Sequence, residues 1–333
     1  MDEIQVAAFR WPGPEAHPTP GKKDRVCRTV VRRLACLSYF ILSAVPALTA
    51  QSFAERFADR FSVGDTAAAR QVLQQWEASA ERPAEFFVAG LNYCFHMARQ
   101  SLIVLGDNPG DGNGPTFETV DSTGTGHVLF LSEAVRYDTA LVRRGIAYVD
   151  RGIEAYPLRL DMRFGKIRAL GEIGDYGRYV DAIVDAVAAS ADNACRWLWS
   201  DDRPLEDGRE FMLSAVQDYV NRLYELGTDE GLDGMDRIAS TVLGIYPDHV
   251  ESLDNAAIVR IVRGRYDEAK PLLMRAERLA PRDMTILANL AELHVRQGDR
   301  PAAATYYRRM ADCAEGSDRD YALRRLRELE EKE

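Results

Sequence analysis

Three hundred and thirty-three residues, 46% hydrophobic and 28% charged, suit one large or two ordinary folded domains and exclude a disordered or collagen-like chain. Lys plus Arg number 42 against 52 for Asp plus Glu, so the formal net charge of −10 repels phosphate backbones and nucleic acid is not an expected partner. Five dispersed cysteines, Cys27, Cys36, Cys94, Cys195 and Cys313, include no C-x-x-C pair, which excludes a local zinc ribbon, a redox motif and a dense disulfide framework.

Residues 1–25, with Trp11-Pro-Gly-Pro14 and Pro18-Thr-Pro-Gly21, look like neither a signal nor a core. They read as an unstructured or misassigned extension, with translation beginning near Val26 or Val30. Residues 26–50 read as a secretory signal peptide: Arg25, Arg28, Arg32 and Arg33 precede the apolar run Leu34–Leu48, which ends in Thr49-Ala50. A spanning helix needs about 20 apolar residues and Pro46 weakens this shorter run, so cleavage after Ala50 is expected, leaving no stable membrane span. No lipobox cysteine stands at its end, since Cys36 falls near its beginning.

Beyond Gln51 the first helical signal is Gly64-Asp-Thr-Ala-Ala-Ala69 followed by Leu73, Trp76 and Pro83, the turn and second helix of one helix pair. A different grammar follows over 101–131: Leu102-Ile-Val-Leu105, a Gly/Asn/Asp-rich turn from Gly106 to Pro115, Thr116-Phe-Glu-Thr-Val120, Gly124-Thr-Gly126 and His127-Val-Leu-Phe-Leu131. β-Branched runs between glycine-rich turns predict a small β insertion, with helices resuming near Tyr137. Asp161–Leu170 then predicts a helix with a turn at Gly174-Asp-Tyr176, and Cys195-Arg-Trp-Leu-Trp-Ser-Asp-Asp202 a tryptophan-bearing link before Pro204. Phe211–Leu226 and Leu232–Tyr246 form a degenerate pair.

Three prolines are each followed 17 residues later by a glycine: Pro157 to Gly174, Pro247 to Gly264, Pro281 to Gly298. The last two copies lie 34 residues apart, pairing Leu253 with Leu287, Asn255 with Asn289, Ala257 with Ala291, Gly264 with Gly298 and Ala269 with Ala303. Glycine permits the turn, alanines sit where helices cross closely, and Pro281 ends the second helix. This pattern resembles the tetratricopeptide repeat family, of secreted or periplasmic bacterial type, a likeness that Tyr156-Pro-Leu-Arg-Leu-Asp-Met-Arg-Phe-Gly-Lys166 shares. The resemblance implies an all-α solenoid of helix-turn-helix units over 51–315 with its β insertion at 101–131, closed by a capping helix at 316–333.

Little in the chain points to catalysis. Gly110, Gly112 and Gly114 precede Pro115 and a strand rather than a helix, so they read as a turn and not a phosphate loop. Asp107, Asp111, Asn113 and Asp121 lack EF-hand spacing and read as turn formers. His96, His127, His249 and His294 fall in different units without metal-ligand spacing, and Cys94 and His96 point to different sides of a helix. The tryptophans of Trp197–Asp202 read as a plug for the solenoid with the aspartates facing water. No catalytic, metal or cofactor site is assigned and the chain is not expected to be an enzyme. The resemblance implies instead a scaffold or adaptor binding a protein or peptide in the envelope of a Gram-negative bacterium. In that family the first helices of successive units line a peptide groove, which assigns Asn255 and Asn289 to a ligand backbone and Arg263 and Arg296 to an acidic group or C-terminal carboxylate. Interhelix ties and solvated arginines are the plainer alternative. A glycan- or small-molecule-binding protein or enzyme would instead need the β insertion and Trp197–Asp202 to form one pocket.

Overall fold

Glycine followed by aspartate marks the sharp turns of the chain. In the computed structural model, which describes residues 51–106, 115–120 and 125–331, Gly64, Gly174 and Gly298 have φ of +77°, +69° and +76°, a left-handed conformation that costs a side chain but not glycine. The next residue then caps a helix: Asp65, Asp175 and Asp299 accept the amides of Ala68, Arg178 and Ala302 at 3.0, 3.4 and 3.2 Å. Gly264 makes the same turn at φ +72°, although Arg265 follows it and offers no side-chain cap. The segments expected to be an extension (1–25) and a signal peptide (26–50), and residues 107–114 and 121–124, lie outside the described residues.

The helices pair in chain order: α1 (Phe53–Ser62) with α2 (Thr66–Glu77) and α5 (Leu160–Glu172) with α6 (Tyr176–Asp192) across such turns, and α3 (Ala84–Ala98) with α4 (Thr139–Ala155) across the β insertion. There follow α7 (Gly208–Glu225) with α8 (Asp229–Ile245), α9 (Val250–Val262) with α10 (Tyr266–Leu279), α11 (Met284–Arg296) with α12 (Arg300–Cys313), and a last helix, α13 (Gly316–Glu330). This is the expected all-α solenoid. Among the described residues no helix is long and apolar enough to cross a membrane.

Small residues set how closely the helices approach. Ala257, Ala269, Ala291 and Ala303, matched by the 34-residue offset, are all fully buried. A very tight approach lies between α3 and α4, where a Cβ placed on Gly90 would stand 2.5 Å from Cδ1 of Tyr148. The apolar core follows the stack in successive clusters, the first from Phe57 to Val259 and the next around Leu253, Leu273 and Leu290. The last joins Leu287 and Met310 to Ala322 of α13.

The β insertion is a three-stranded antiparallel sheet between α3 and α4, in the order β1-β3-β2: β1 (Arg99–Gly106), β2 (Thr116–Val120) and β3 (Gly126–Tyr137). β1 pairs with β3 from Arg99↔Tyr137 to Gly106↔Phe130, and β2 with β3 from Thr116↔Phe130 to Val120↔Gly126. The ladder therefore runs past the expected limits of 101 and 131, and Ser132–Tyr137 is strand up to the start of α4. Its pattern is too weak to announce a strand locally. Cross-strand bonds to β1 hold it, with the base fixed by the Asp138 amide on Ala98 O at 2.8 Å and Phe95 stacked on Tyr137 at 4.7 Å.

Candidate functional site

The first helices of three successive pairs, α7, α9 and α11, carry a continuous row of polar side chains. Gln217 of α7 is at its head, donating to Oδ1 of Asn221 at 2.9 Å and to Oδ1 of Asn255 at 3.4 Å, while Nδ2 of Asn255 returns a bond to Oε1 of Gln217 at 2.8 Å. The preceding residue of α9, Asp254, accepts from Nδ2 of Asn289 on both carboxylate oxygens, at 2.8 and 3.0 Å. Asn255 and Asn289 are thus brought into one row, each tying its helix to the preceding first helix. Asn255 is buried and Asn289 half-buried. Burial pushes the Asp254 carboxyl up to about 7, with the Asn289 bond opposing and the charges of Asp283 and Glu251 adding to the rise.

Arg263 and Arg296 stand at the far ends of α9 and α11. Arg263 is exposed and pairs with Asp233 of α8; half-buried Arg296 pairs through Nε with Oε1 of Glu292, one turn back on α11, at 2.9 Å. Arg325 of α13 bonds the other oxygen of Glu292 at 3.3 Å and the Tyr307 hydroxyl at 3.2 Å. Both arginines assigned from the sequence hold carboxylates of this chain.

Beside the row opens a cleft of about 590 Å³ lined by Tyr176, Asp218, Asn221, Arg222, Glu225 and Leu226. Helical periodicity aligns Asp218, Asn221, Arg222 and Glu225 on one face of α7, and the turn into α6 supplies Tyr176. Arg222 is fixed by the Gly171 carbonyl at 2.8 Å and by Glu172 at 3.2 Å. Burial opposes the charge of its guanidinium, but the bond to Glu172 and the contact with Tyr176 outweigh it and hold the group charged. Asn221 joins cleft and row through Gln217. The sequence reading missed these residues because the degenerate unit around α7 carries no match to the 34-residue offset; the polar face of Gln217–Glu225 was its one available signal.

Among the described residues the Trp197–Asp202 segment meets helices α3, α5 and α7. Trp197 is 1% exposed, against Gly208 and the Arg163 guanidinium, whose carbon lies 5.7 Å from the ring. Half-buried Trp199 packs on Phe211 and Phe164. The link holds four non-glycine residues at positive φ, Ala194, Cys195, Asp201 and Asp202, at 51°, 56°, 58° and 52°. Such backbone persists where its surroundings over-determine it. At Asp202 the constraint is Arg159: 1% exposed, it binds Asp161 through Nε and Nη2 at 2.9 and 2.8 Å, Glu85 at 2.7 Å and Asp202 at 3.1 Å. One buried guanidinium so ties α3, the start of α5 and the link together. Burial raises the Glu85 carboxyl, but bonds from Arg159 and backbone amides outweigh it and hold the group below its ordinary range. The tryptophans pack into the stack, and the exposed Asp202 carboxylate and the Asp201 amide tie the link to Arg159 and Glu85.

Cys94 and His96 are separated as their spacing implied. Cys94 is buried, its thiol pushed up by burial, while His96 meets the Phe61 ring edge-on at 5.1 Å. His249 bonds Ser252 at 2.9 Å and His294 stacks on Tyr306 at 5.6 Å.

These contacts define a solenoid of antiparallel helix pairs with an inserted sheet. No known protein family matches the chain, and no curated protein matches it. Solved structures similar to it include TTC0263, a thermophilic TPR protein of Thermus thermophilus, 18% identical over 57% of this chain and 91% of that one with a TM-score of 0.33. Pseudomonas aeruginosa pilF is 14% identical over 57% and 80% with a TM-score of 0.34. A tetratricopeptide repeat protein from Parabacteroides merdae is 7% identical over 83% and 97% with a TM-score of 0.26. The helix-pair architecture rests on this chain's own contacts.

Proposed function

We propose that this chain is an exported scaffold or adaptor that binds a protein or an extended peptide in the bacterial cell envelope. The observation that carries the binding half of this reading is the cleft of about 590 Å³ continuous with the polar row of α7, α9 and α11. An extended peptide presents one donor and one acceptor per residue, and a side-chain amide such as Asn221 offers both. The cleft is open to solvent along one side, a shape that admits an extended chain. In this reading Asn255 and Asn289 set the floor of the groove, and Arg263 and Arg296 exchange their carboxylates for acidic groups of the partner. The export half is supported by the basic and apolar segments of residues 26–50.

The test is site-specific photocrosslinking in the native envelope, with the photoreactive residue at Asn221 in the cleft or at Arg275 on α10 as control. A discrete adduct from position 221 that is missing from 275 is the expected result; identical patterns overturn the cleft assignment. Mass spectrometry of the native N-terminus is expected to find Gln51, and a mature chain retaining Leu34–Leu48 overturns the export reading.

A further inference from the structure

The sheet is unlike the rest of the molecule in what it shows to water. Ile103 is 76% exposed and Leu105 52%, with Phe117 at 47%, Val128 at 49% and Val135 at 44%. Strand alternation and register place Leu102 and Val104 on one face with Val128 and Phe130, and Ile103 and Leu105 on the other with Phe117, Leu129, Leu131 and Val135. Each face carries an apolar group beside charge, with Glu133 opposite Ile103 on one face and Glu118 opposite Val128 on the other. Isolated apolar residues on a surface need no explanation, whereas a contiguous patch marks an interaction site.

The two edges of the sheet differ. β2 is five residues long, carries exposed Glu118 at its centre, and is thereby protected against strand addition. β1 is eight residues long, and from Gln100 to Gly106 it holds no charge, no proline and no bulge. One side of β1 is laddered to β3; among the described residues no strand or backbone donor pairs with the other. An open edge of this kind is a template for another strand.

We propose that the occupant of this edge is β1 of a second copy of the chain, added antiparallel about a two-fold axis through Ile103. The sequence of β1 is self-complementary in that register. Ile103 faces its own copy, Leu102 faces Val104 twice on one side of the sheet, and Ser101 faces Leu105 twice on the other. Arg99, the charge on β1, is carried to opposite ends of the paired strands, so like charges never meet. The product is a six-stranded sheet, β2-β3-β1-β1-β3-β2, with Leu102, Ile103 and Val104 of the two copies contiguous across the axis and Glu118-bearing β2 at both outer edges. A two-fold contact of this kind is isologous and closes on itself, ending assembly at the dimer. A short strand edge is a small interface, so dimerisation is concentration-dependent.

The experiment uses the purified protein in sedimentation velocity from about 1 to about 100 µM. Wild type is expected to pass from monomer to dimer over that range. Ile103→Lys and Ile103→Glu each place two like charges face to face at the axis and are expected to raise the dimer Kd at least tenfold. Ile103 is mostly exposed, so neither disturbs the packed helices. An equimolar mixture of the two variants is expected to recover the dimer, a rescue that follows only if position 103 faces position 103. Ile103→Cys is expected to cross-link copies on oxidation beyond the wild-type background, because directly opposed residues lie within disulfide reach. Leu105→Cys, on the same face but opposite Ser101, is not. A monomeric wild type, unaffected single variants, failure of the mixture, or faster cross-linking through Leu105→Cys each overturns the proposal.

Discussion

Replacing Asp254 with asparagine is expected to remove one contribution to stability that is lost as pH rises toward 7. Asp254 is 6% exposed, and its carboxylate is met by Nδ2 of Asn289 on both oxygens. Burial penalises the charged form, so the folded chain keeps the proton up to about pH 7 while an unfolded aspartate releases it near 3.8. Between those values the folded state binds more protons than the unfolded state, so stability falls as pH rises. The contribution is full below the unfolded value and is lost through about pH 7. About three pH units at about 1.4 kcal/mol each give a loss of about 4 kcal/mol once the carboxylate is fully ionised. The Asp254→Asn variant keeps an acceptor for Asn289 and has nothing to ionise at that position. Thermal melts of both proteins from about pH 4 to about pH 8 are expected to agree at the acid end and to diverge in favour of the variant, by about 10 °C at the alkaline end. A difference that stays constant with pH, or a variant less stable at the alkaline end, refutes the reasoning. A direct readout is the carboxyl carbon resonance of Asp254, expected to titrate near 7 rather than near 4.

Gly90→Ala is expected to destabilise the chain by about 1–3 kcal/mol, since the new methyl would fall 2.5 Å from Cδ1 of the Tyr148 ring where α3 and α4 meet; denaturant melts check this, and Gly244→Ala, which meets no atom within 4 Å, is the control expected to stay near wild type. Arg159→Met is expected to cost about 3–5 kcal/mol by leaving the carboxylates of Glu85 and Asp161 without their buried partner, and to expose the link 194–204 to limited proteolysis; an unchanged digestion pattern counts against Arg159 as its clamp.

Much of the backbone was legible in the sequence because it is governed by local rules. A glycine that must take positive φ, an aspartate that caps the next helix, and alanines where helices cross recur at fixed offsets and need no knowledge of the rest of the chain. The β insertion announced itself through β-branched runs, and the link through its paired tryptophans followed by aspartates. The sheet runs on to Tyr137 because Ser132–Tyr137 is strand by virtue of its partners on β1. Pairing, burial and exposure across the stack were decided only in three dimensions. Nothing near Arg159 in sequence specifies that Glu85, 74 residues away, and Asp202, 43 away, will converge on its guanidinium. The offset of 34 aligned Asn289 with Asn255, but only the packed helices give Asn289 to Asp254 and Asn255 to Gln217, because neighbouring first helices meet side by side and each amide takes the nearest free acceptor. The apolar runs of the sheet look, as sequence, like any half-buried strands. That Ile103 is left facing water follows from the sheet standing between α3 and α4 with no described helix covering the residue, a fact of tertiary arrangement that periodicity cannot carry.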